Sequence, residues 1–311
     1  MTPADTPLPS IGADEITRLL GPAAAAEAIA AVLRDGFDPE SDPARTHVPV
    51  PAGQLLLMPA SSSTYAGVKI AGVAPANPAR GLPRITGSYL LFDGATLMPL
   101  ALLDGAALTT LRTPAVSAVA IDHLAEPDAE RLVLFGAGPQ AYGHLQAALA
   151  VRKVTSLTVV SRRREAVDAL VAYARTLGVE ADGGAPEDVA DADLVICCTT
   201  AREPLFDGAL VGERAAVVAV GSHEADARET DSALVRRSAV YVESRAAALR
   251  EAGDLLVPLA EGVIGPDHVA GTLAELVTGR TSPPPDRPRL FKSVGMAWED
   301  LAVAAAVHRA L

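Results

Sequence analysis

LVLFGAGPQAYGHLQAAL, residues 132–149, decides the fold: an apolar run breaks into a glycine turn, and the turn opens a helical pattern. A strand, a Gly-x-Gly-x-x-Ala turn and a helix in that order form a cradle for a dinucleotide pyrophosphate. Gly136 lets the chain turn sharply after the strand, Gly138 lets backbone amides approach the phosphates, and Ala141 allows helix and strand to pack closely. The amides of the first helical turn then face the phosphate charge. The glycine pattern draws its specificity from these flanks and from the strands and helices downstream of them.

Downstream, strand candidates at 156–160, 194–198, 216–220 and 240–243 succeed the one at 132–135, with helical patterns between several of them. This alternation predicts an α/β fold, a Rossmann-type doubly wound parallel sheet. Upstream, Pro and Gly punctuate short strand candidates at 54–58, 65–70, 89–92 and 97–102, after an alanine-rich helix over about 21–35 and before a helix over 113–124. That part reads as a sheet-rich α+β lobe. The run SPPPDRP, 282–288, continues neither a helix nor a central strand and marks a linker. Beyond it, FKSVGMAWEDLAVAAAVHRAL, 291–311, reads as a short extended entry and a terminal helix that returns to the first lobe. The expected domains are 1–115 with 286–311, and 116–285 for the nucleotide fold.

A chain of 311 residues that is half apolar is long enough for two domains with full cores. Its net charge of −12 argues against non-specific binding to nucleic acid or to an acidic membrane surface, and points to small molecules or copies of itself as partners. Cys197 and Cys198 are adjacent on one expected strand, so their side chains point to opposite faces and do not pair. With MTPADTPLPS carrying no basic, apolar leader and no apolar run of membrane-spanning length, a cytoplasmic location is expected. The six histidines have no metal-ligand spacing, and no metal is expected.

The second nucleotide-fold strand ends at SRRRE, 161–165. Ser161, Arg162 and Arg163 stand where an NAD-preferring site supplies an acid to the ribose 2′-hydroxyl. Arginine there suits a 2′-phosphate and favours NADPH over NADH; the alternative is a solvated charge cluster. Thr199 and Thr200 come after one strand and Gly221 and Ser222 after another, at the carboxyl ends where open α/β sheets bind ligands, although ordinary turn formation serves equally well. His223 comes next, as a reserve acid or a plain surface histidine. In the first lobe, Arg45, Lys69 and Arg112 supply what a small acidic substrate needs. Arg112, at the expected start of a helix, requires an anion if buried, either a carboxylate or a cofactor phosphate. A buried Lys69 has a lowered pKa suited to proton exchange with an imine nitrogen, whereas an edge lysine snorkels to water.

Together these residues resemble the ornithine cyclodeaminase and mu-crystallin family. The matching blocks are LLLMPA, GVKIAG with APANPARGLP, LLFDGATLMPLALLDGAALTTLRTPAVSA, FGAGPQAYGH, AVGSHEADARETDSAL, VYVESRAAALREAGDLL and FKSVGMAWEDL. The resemblance implies a homodimer of two-domain subunits: a Rossmann domain for NAD(P), and a discontinuous lobe for substrate binding and dimerisation. It implies that Arg45, Lys69 and Arg112 hold the substrate's carboxylate and surround its reacting nitrogen. Gly136, Gly138, Pro139, Gln140, Ser161, Arg162, Arg163, Thr199, Thr200, Val220 and Ser293 are the implied cofactor contacts.

Two positions depart from the cyclodeaminase pattern: Leu56 stands where those enzymes carry a Glu, and His223 where they carry an Asp. Leucine neither accepts an amine's protons nor balances its charge, which disfavours ornithine cyclisation. The expected activity is NADPH-dependent reduction of cyclic ketimines, pyrroline-2-carboxylate or piperideine-2-carboxylate, to cyclic amino acids. The alternatives are an ornithine or lysine cyclodeaminase, an amino-acid dehydrogenase, and a non-catalytic nucleotide-dependent binding protein.

Overall fold

The computed structural model describes residues 7–311; the first six residues of the MTPADTPLPS segment lie outside it. The chain divides into two compact units. One holds the described residues up to Val32, Ser41–Arg112 and Met296–Leu311, and the other Leu33–Glu40 and Thr113–Gly295. The elements begin with β1 (Ser10–Ile11), α1 (Ala13–Leu19), α2 (Pro22–Arg34), β2 (Thr46–Val50), β3 (Gly53–Ser61), β4 (Tyr65–Val73), β5 (Ile85–Asp93), β6 (Pro99–Asp104) and α3 (Gly105–Leu124). They continue with β7 (Arg131–Phe135), α4 (Pro139–Val151), β8 (Ser156–Val160), α5 (Arg164–Thr176), β9 (Glu180–Gly183), β10 (Leu194–Cys197) and β11 (Ala216–Ala219). The last are α6 (Ser232–Arg237), β12 (Ala239–Val242), α7 (Arg245–Glu251), α8 (Gly253–Ala260), β13 (Val269–Thr272), α9 (Leu273–Val277), β14 (Arg289–Lys292) and α10 (Ala297–Arg309).

The first unit is built on a six-stranded sheet in the order β1-β6-β5-β4-β3-β2, antiparallel except for the β1–β6 pair. Side chains alternate between its faces. Leu56, Met58 and Ala60 of β3, Lys69 and Ala71 of β4, and Tyr89 and Leu91 of β5 are buried and share one face. Helix α10 packs against β3, β4 and β5 and is buried from Ala297 to Ala305 on nearly every side, which is why its sequence is almost wholly apolar. The terminal helix thus belongs to the first lobe.

The second unit is a Rossmann-type α/β fold. Its eight strands are all parallel, in the order β13-β12-β14-β11-β10-β7-β8-β9. The extended entry expected from Phe291 onward is in part the end of an interior strand, Arg289–Lys292, between β11 and β12, with all four residues buried. Its charged ends disguised it. Arg289 is engaged through Nη1 and Nη2 by the Arg214 carbonyl oxygen at 2.8 Å and by Glu126, and Lys292 by Asp254 at 2.9 Å.

Helix α3 also begins earlier than expected. The Asp104 carboxylate accepts from the amides of Ala106 and Ala107, both at 2.9 Å, and starts the helix at Gly105. The helix then runs through Pro114, which in sequence looked like its first turn. Arg112 therefore lies two turns inside the helix rather than at its start.

Candidate active site

The nucleotide half is set by backbone geometry. Gly136 has φ +107°, and a Cβ there would sit 2.8 Å from the Cys198 carbonyl oxygen, so the turn after β7 requires glycine. Gly138 is extended, and a Cβ at that position would meet nothing within 4 Å. No side chain caps α4, whose first helical residue is Pro139, and the Ala141 amide donates to the Gly138 carbonyl at 2.9 Å; an uncapped helix start after an open glycine fits a phosphate. The Gln140 side-chain oxygen is buried with no hydrogen-bond partner among the described residues. Behind the turn, His144 Nδ1 donates to the Gln140 carbonyl at 2.7 Å while Nε2 lies 2.9 Å from Ser117 Oγ. Burial pushes this imidazole down to about 4, so it stays neutral and serves as a brace.

At the end of β8, Ser161 is half-buried and Arg162 and Arg163 are exposed. Arg164 is engaged by Asp168 at 3.1 Å, whereas Arg162 and Arg163 form no ion pair among the described residues. Two cations placed there fit a ribose phosphate. At the other strand ends, the Thr199 hydroxyl donates to Glu229 and the Ser293 hydroxyl to Glu243, at 2.8 and 2.5 Å. The Val220 amide donates to the Cys197 carbonyl at 2.9 Å, and Thr200 is exposed. His223 is exposed in the loop after β11.

A second cluster lies in the first unit, where the fold brings Lys69 and Arg112 together around two acids absent from the expected site, Glu299 and Asp300. Lys69 Nζ is 2.6 Å from Asp300 Oδ2, and Arg112 Nη1 is 2.7 Å from Glu299 Oε2. Arg112 Nε lies 3.4 Å from Asp300 Oδ1, and Lys69 Nζ donates to Thr109 Oγ1 at 3.3 Å. All four charged side chains are at least 92% buried. Burial lowers the Lys69 pKa to about 8; Asp300 opposes this, and the fields of Arg112 and Arg45 add to it. Lys69 therefore keeps its proton at neutral pH and releases it within a unit or so above. Asp42 caps α10 by accepting from the amides of Ala297 and Trp298 at 3.0 and 3.2 Å, which fixes the helix that carries both acids.

Glu299 and Asp300 escaped notice because acids suit the first turn of any helix. The signal that marks them is their setting: a helix apolar on every side offers no solvent face for two adjacent carboxylates, so they require buried cations.

Comparison with known proteins shows which family the chain resembles. Residues 16–311 match the ornithine cyclodeaminase/mu-crystallin family. The chain is 36% identical over 260 residues to Delta(1)-pyrroline-2-carboxylate reductase of Colwellia psychrerythraea, covering 81% of this chain and 82% of that one. It is 34% identical over 270 residues to ketimine reductase mu-crystallin of Mus musculus, covering 86% and 84%. Among solved structures, the Delta(1)-pyrroline-2-carboxylate reductase of Thermococcus litoralis in complex with NADH and L-proline superposes with a TM-score of 0.91, at 32% identity over 97% of both chains. The chain belongs to the ornithine cyclodeaminase/mu-crystallin family.

Proposed function

We propose that this protein is an NAD(P)H-dependent oxidoreductase that reduces the C=N bond of a cyclic 2-imino acid, pyrroline-2-carboxylate or piperideine-2-carboxylate, with NADPH preferred. The observation that carries the reading is the buried face of the first sheet, which puts Lys69 and Leu56 on the same side of adjacent strands. Lys69 is a poised proton donor, and Leu56 leaves nothing there to hold the second amine of a diamino acid.

When bound, the dihydronicotinamide supplies the hydride that the imine carbon accepts. Arg112 and Arg45 hold the substrate carboxylate; Arg112 is braced by Glu299 and Asp300, so its guanidinium plane is already set. Lys69 commits two donors, to Asp300 and Thr109, and gives its third proton to the ring nitrogen. Asp300 keeps that ammonium charged inside the protein. Arg162 and Arg163 support the NADPH preference, although the relative from T. litoralis was solved with NADH.

The protein acts as a cytoplasmic homodimer in this reading. One face of the first sheet carries Val48, Leu57, Val68, Ile70, Leu90 and Leu102, of which Val48, Ile70 and Leu102 are exposed. A contiguous apolar sheet face suits an isologous contact with a second copy. Cys197 and Cys198 are both free thiols, as a reducing compartment requires. No single helix among the described residues is long and apolar enough to cross a membrane.

The test pairs two assays: nicotinamide absorbance on mixing protein, NADPH and a cyclic ketimine, and ammonia release from ornithine. Oxidation without ammonia is expected. Ammonia without net oxidation marks a cyclodeaminase, and neither marks a binding protein.

A further inference from the structure

Three neighbouring strands of the second sheet, β10, β11 and β14, end on one buried polar network. The Glu229 Oε1 oxygen accepts from the Thr199 amide and the Thr199 hydroxyl, both at 2.8 Å, and Oε2 accepts from the Gly221 amide at 2.7 Å. Asp254 Oδ1 accepts from the amides of Glu229 and Thr230 at 2.9 and 2.8 Å and from the Thr230 hydroxyl at 2.8 Å. Lys292 Nζ stands 2.9 Å from Asp254 Oδ2 and donates to the Ser222 carbonyl at 2.7 Å. Glu229, Asp254 and Lys292 are each at most 1% exposed.

Such an arrangement costs desolvation of three charges, so it persists where it fixes something. What it fixes are the loops Thr199–Thr200 and Gly221–His223 and the strand leading to Ser293. These are the carboxyl-end positions at which an open α/β sheet holds its ligand. The fit at Gly221 is tight enough that a Cβ there would lie 2.1 Å from the Thr199 carbonyl oxygen and 2.4 Å from Glu229 Oε1. The Thr199 hydroxyl also points into the network, which makes it part of the support. Burial raises the Glu229 carboxyl above its usual value and the Asp254 carboxylate adds to this, while Lys292 and the Thr199 and Gly221 amides oppose it; with Glu229 and Asp254 ionised, two carboxylates and one ammonium leave one net negative charge beneath these loops.

We propose that Glu229, held by Asp254 and Lys292, is the positioning residue of the nicotinamide end of the cofactor site. It ties the loops after β10 and β11 together and leaves a buried negative charge that favours the cationic, oxidised nicotinamide over the neutral, reduced one. This deepens the proposed function and rests on it: with the phosphate turn after β7 and the 2′-phosphate cations after β8, the nicotinamide falls to the strands on the other side of β7, which are β10, β11 and β14.

The test measures dissociation constants of NADP+ and NADPH, by fluorescence or calorimetry, for wild type and Glu229→Gln, with the melting temperature of each ligand-free protein. Glu229→Gln keeps the shape and removes the charge. The expected result is a roughly 10-fold rise in the ratio of the NADP+ constant to the NADPH constant, which a loss of packing alone would not produce. An unchanged ratio in a folded variant overturns the inference while nucleotide binding by wild type stands. Wild type that binds neither nucleotide overturns the underlying reading and this inference with it. If Glu229→Gln does not fold, Thr199→Val removes one donor and leaves the charge. Its expected result is a 3- to 10-fold loss of affinity for both nucleotides with the ratio kept, and unchanged affinity overturns the positioning role.

Discussion

Replacing Asp300 by Asn removes the charge that keeps Lys69 protonated while conserving volume. Lys69 Nζ is 2.6 Å from the Asp300 carboxylate, and Thr109, Arg112 and Arg45 are the other polar groups that face it. Opposite unit charges 4 Å apart attract by roughly 4 kcal/mol at an effective dielectric of about 20. One pKa unit corresponds to about 1.4 kcal/mol. Loss of the Asp300 charge therefore lowers Lys69 from about 8 by about one to three units. The protonated amine is the donor, so reductive kcat/KM is lost as pH rises through this pKa. Initial rates of NADPH oxidation across pH should show the wild-type alkaline limb near 8 and the Asp300→Asn limb about one unit lower or more. Amine oxidation, the reverse direction, needs the free base and gains activity over the same window. A folded Asp300→Asn protein whose limb stays near 8 refutes the assignment of Asp300 as the group that holds the proton donor.

The same geometry sets three further outcomes. Lys69→Met should reduce turnover by about 10²- to 10⁴-fold with NADPH affinity kept, since the donor is lost while the phosphate turn and Arg162 and Arg163 are untouched; calorimetry and steady-state rates together check it. Arg162→Ala with Arg163→Ala should weaken NADPH by roughly 10- to 100-fold and leave NADH nearly unchanged, at about 1.5–3 kcal/mol for charge-assisted bonds to a phosphate; an equal loss for both nucleotides would remove the 2′-phosphate role. Leu102→Glu, on the open face of the first sheet, should convert a dimer to monomers in sedimentation analysis, whereas a wild-type monomer would dismiss the dimer outright.

The phosphate turn was legible because its demands are local. Gly136 needs a positive φ and Gly138 needs open space, and both requirements sit inside one strand-turn-helix pattern. Lys69 and Arg112 were legible as charges in apolar surroundings. Their partners were not, because Glu299 and Asp300 meet them from a helix some two hundred residues away, and nothing local distinguishes a buried acid from a solvated one. Strand β14 was hidden for a related reason: Arg289 and Lys292 at its ends look like solvent residues until Glu126 and Asp254 are seen against them. The Glu229 network is likewise tertiary, since the loops after β10 and β11 meet on the Glu229 carboxylate while Lys292 of β14 joins through Asp254.

The central claim is that hydride reaches the ring carbon of a cyclic imine while Lys69 protonates its nitrogen. Incubating the protein with 4,4-dideuterated NADPH and pyrroline-2-carboxylate or piperideine-2-carboxylate, then reading the product by NMR, tests it most directly. The account predicts proline or pipecolate carrying one deuterium at Cα, formed by wild type and lost in Lys69→Met. Product without the label, or labelled product undiminished in Lys69→Met, would contradict it.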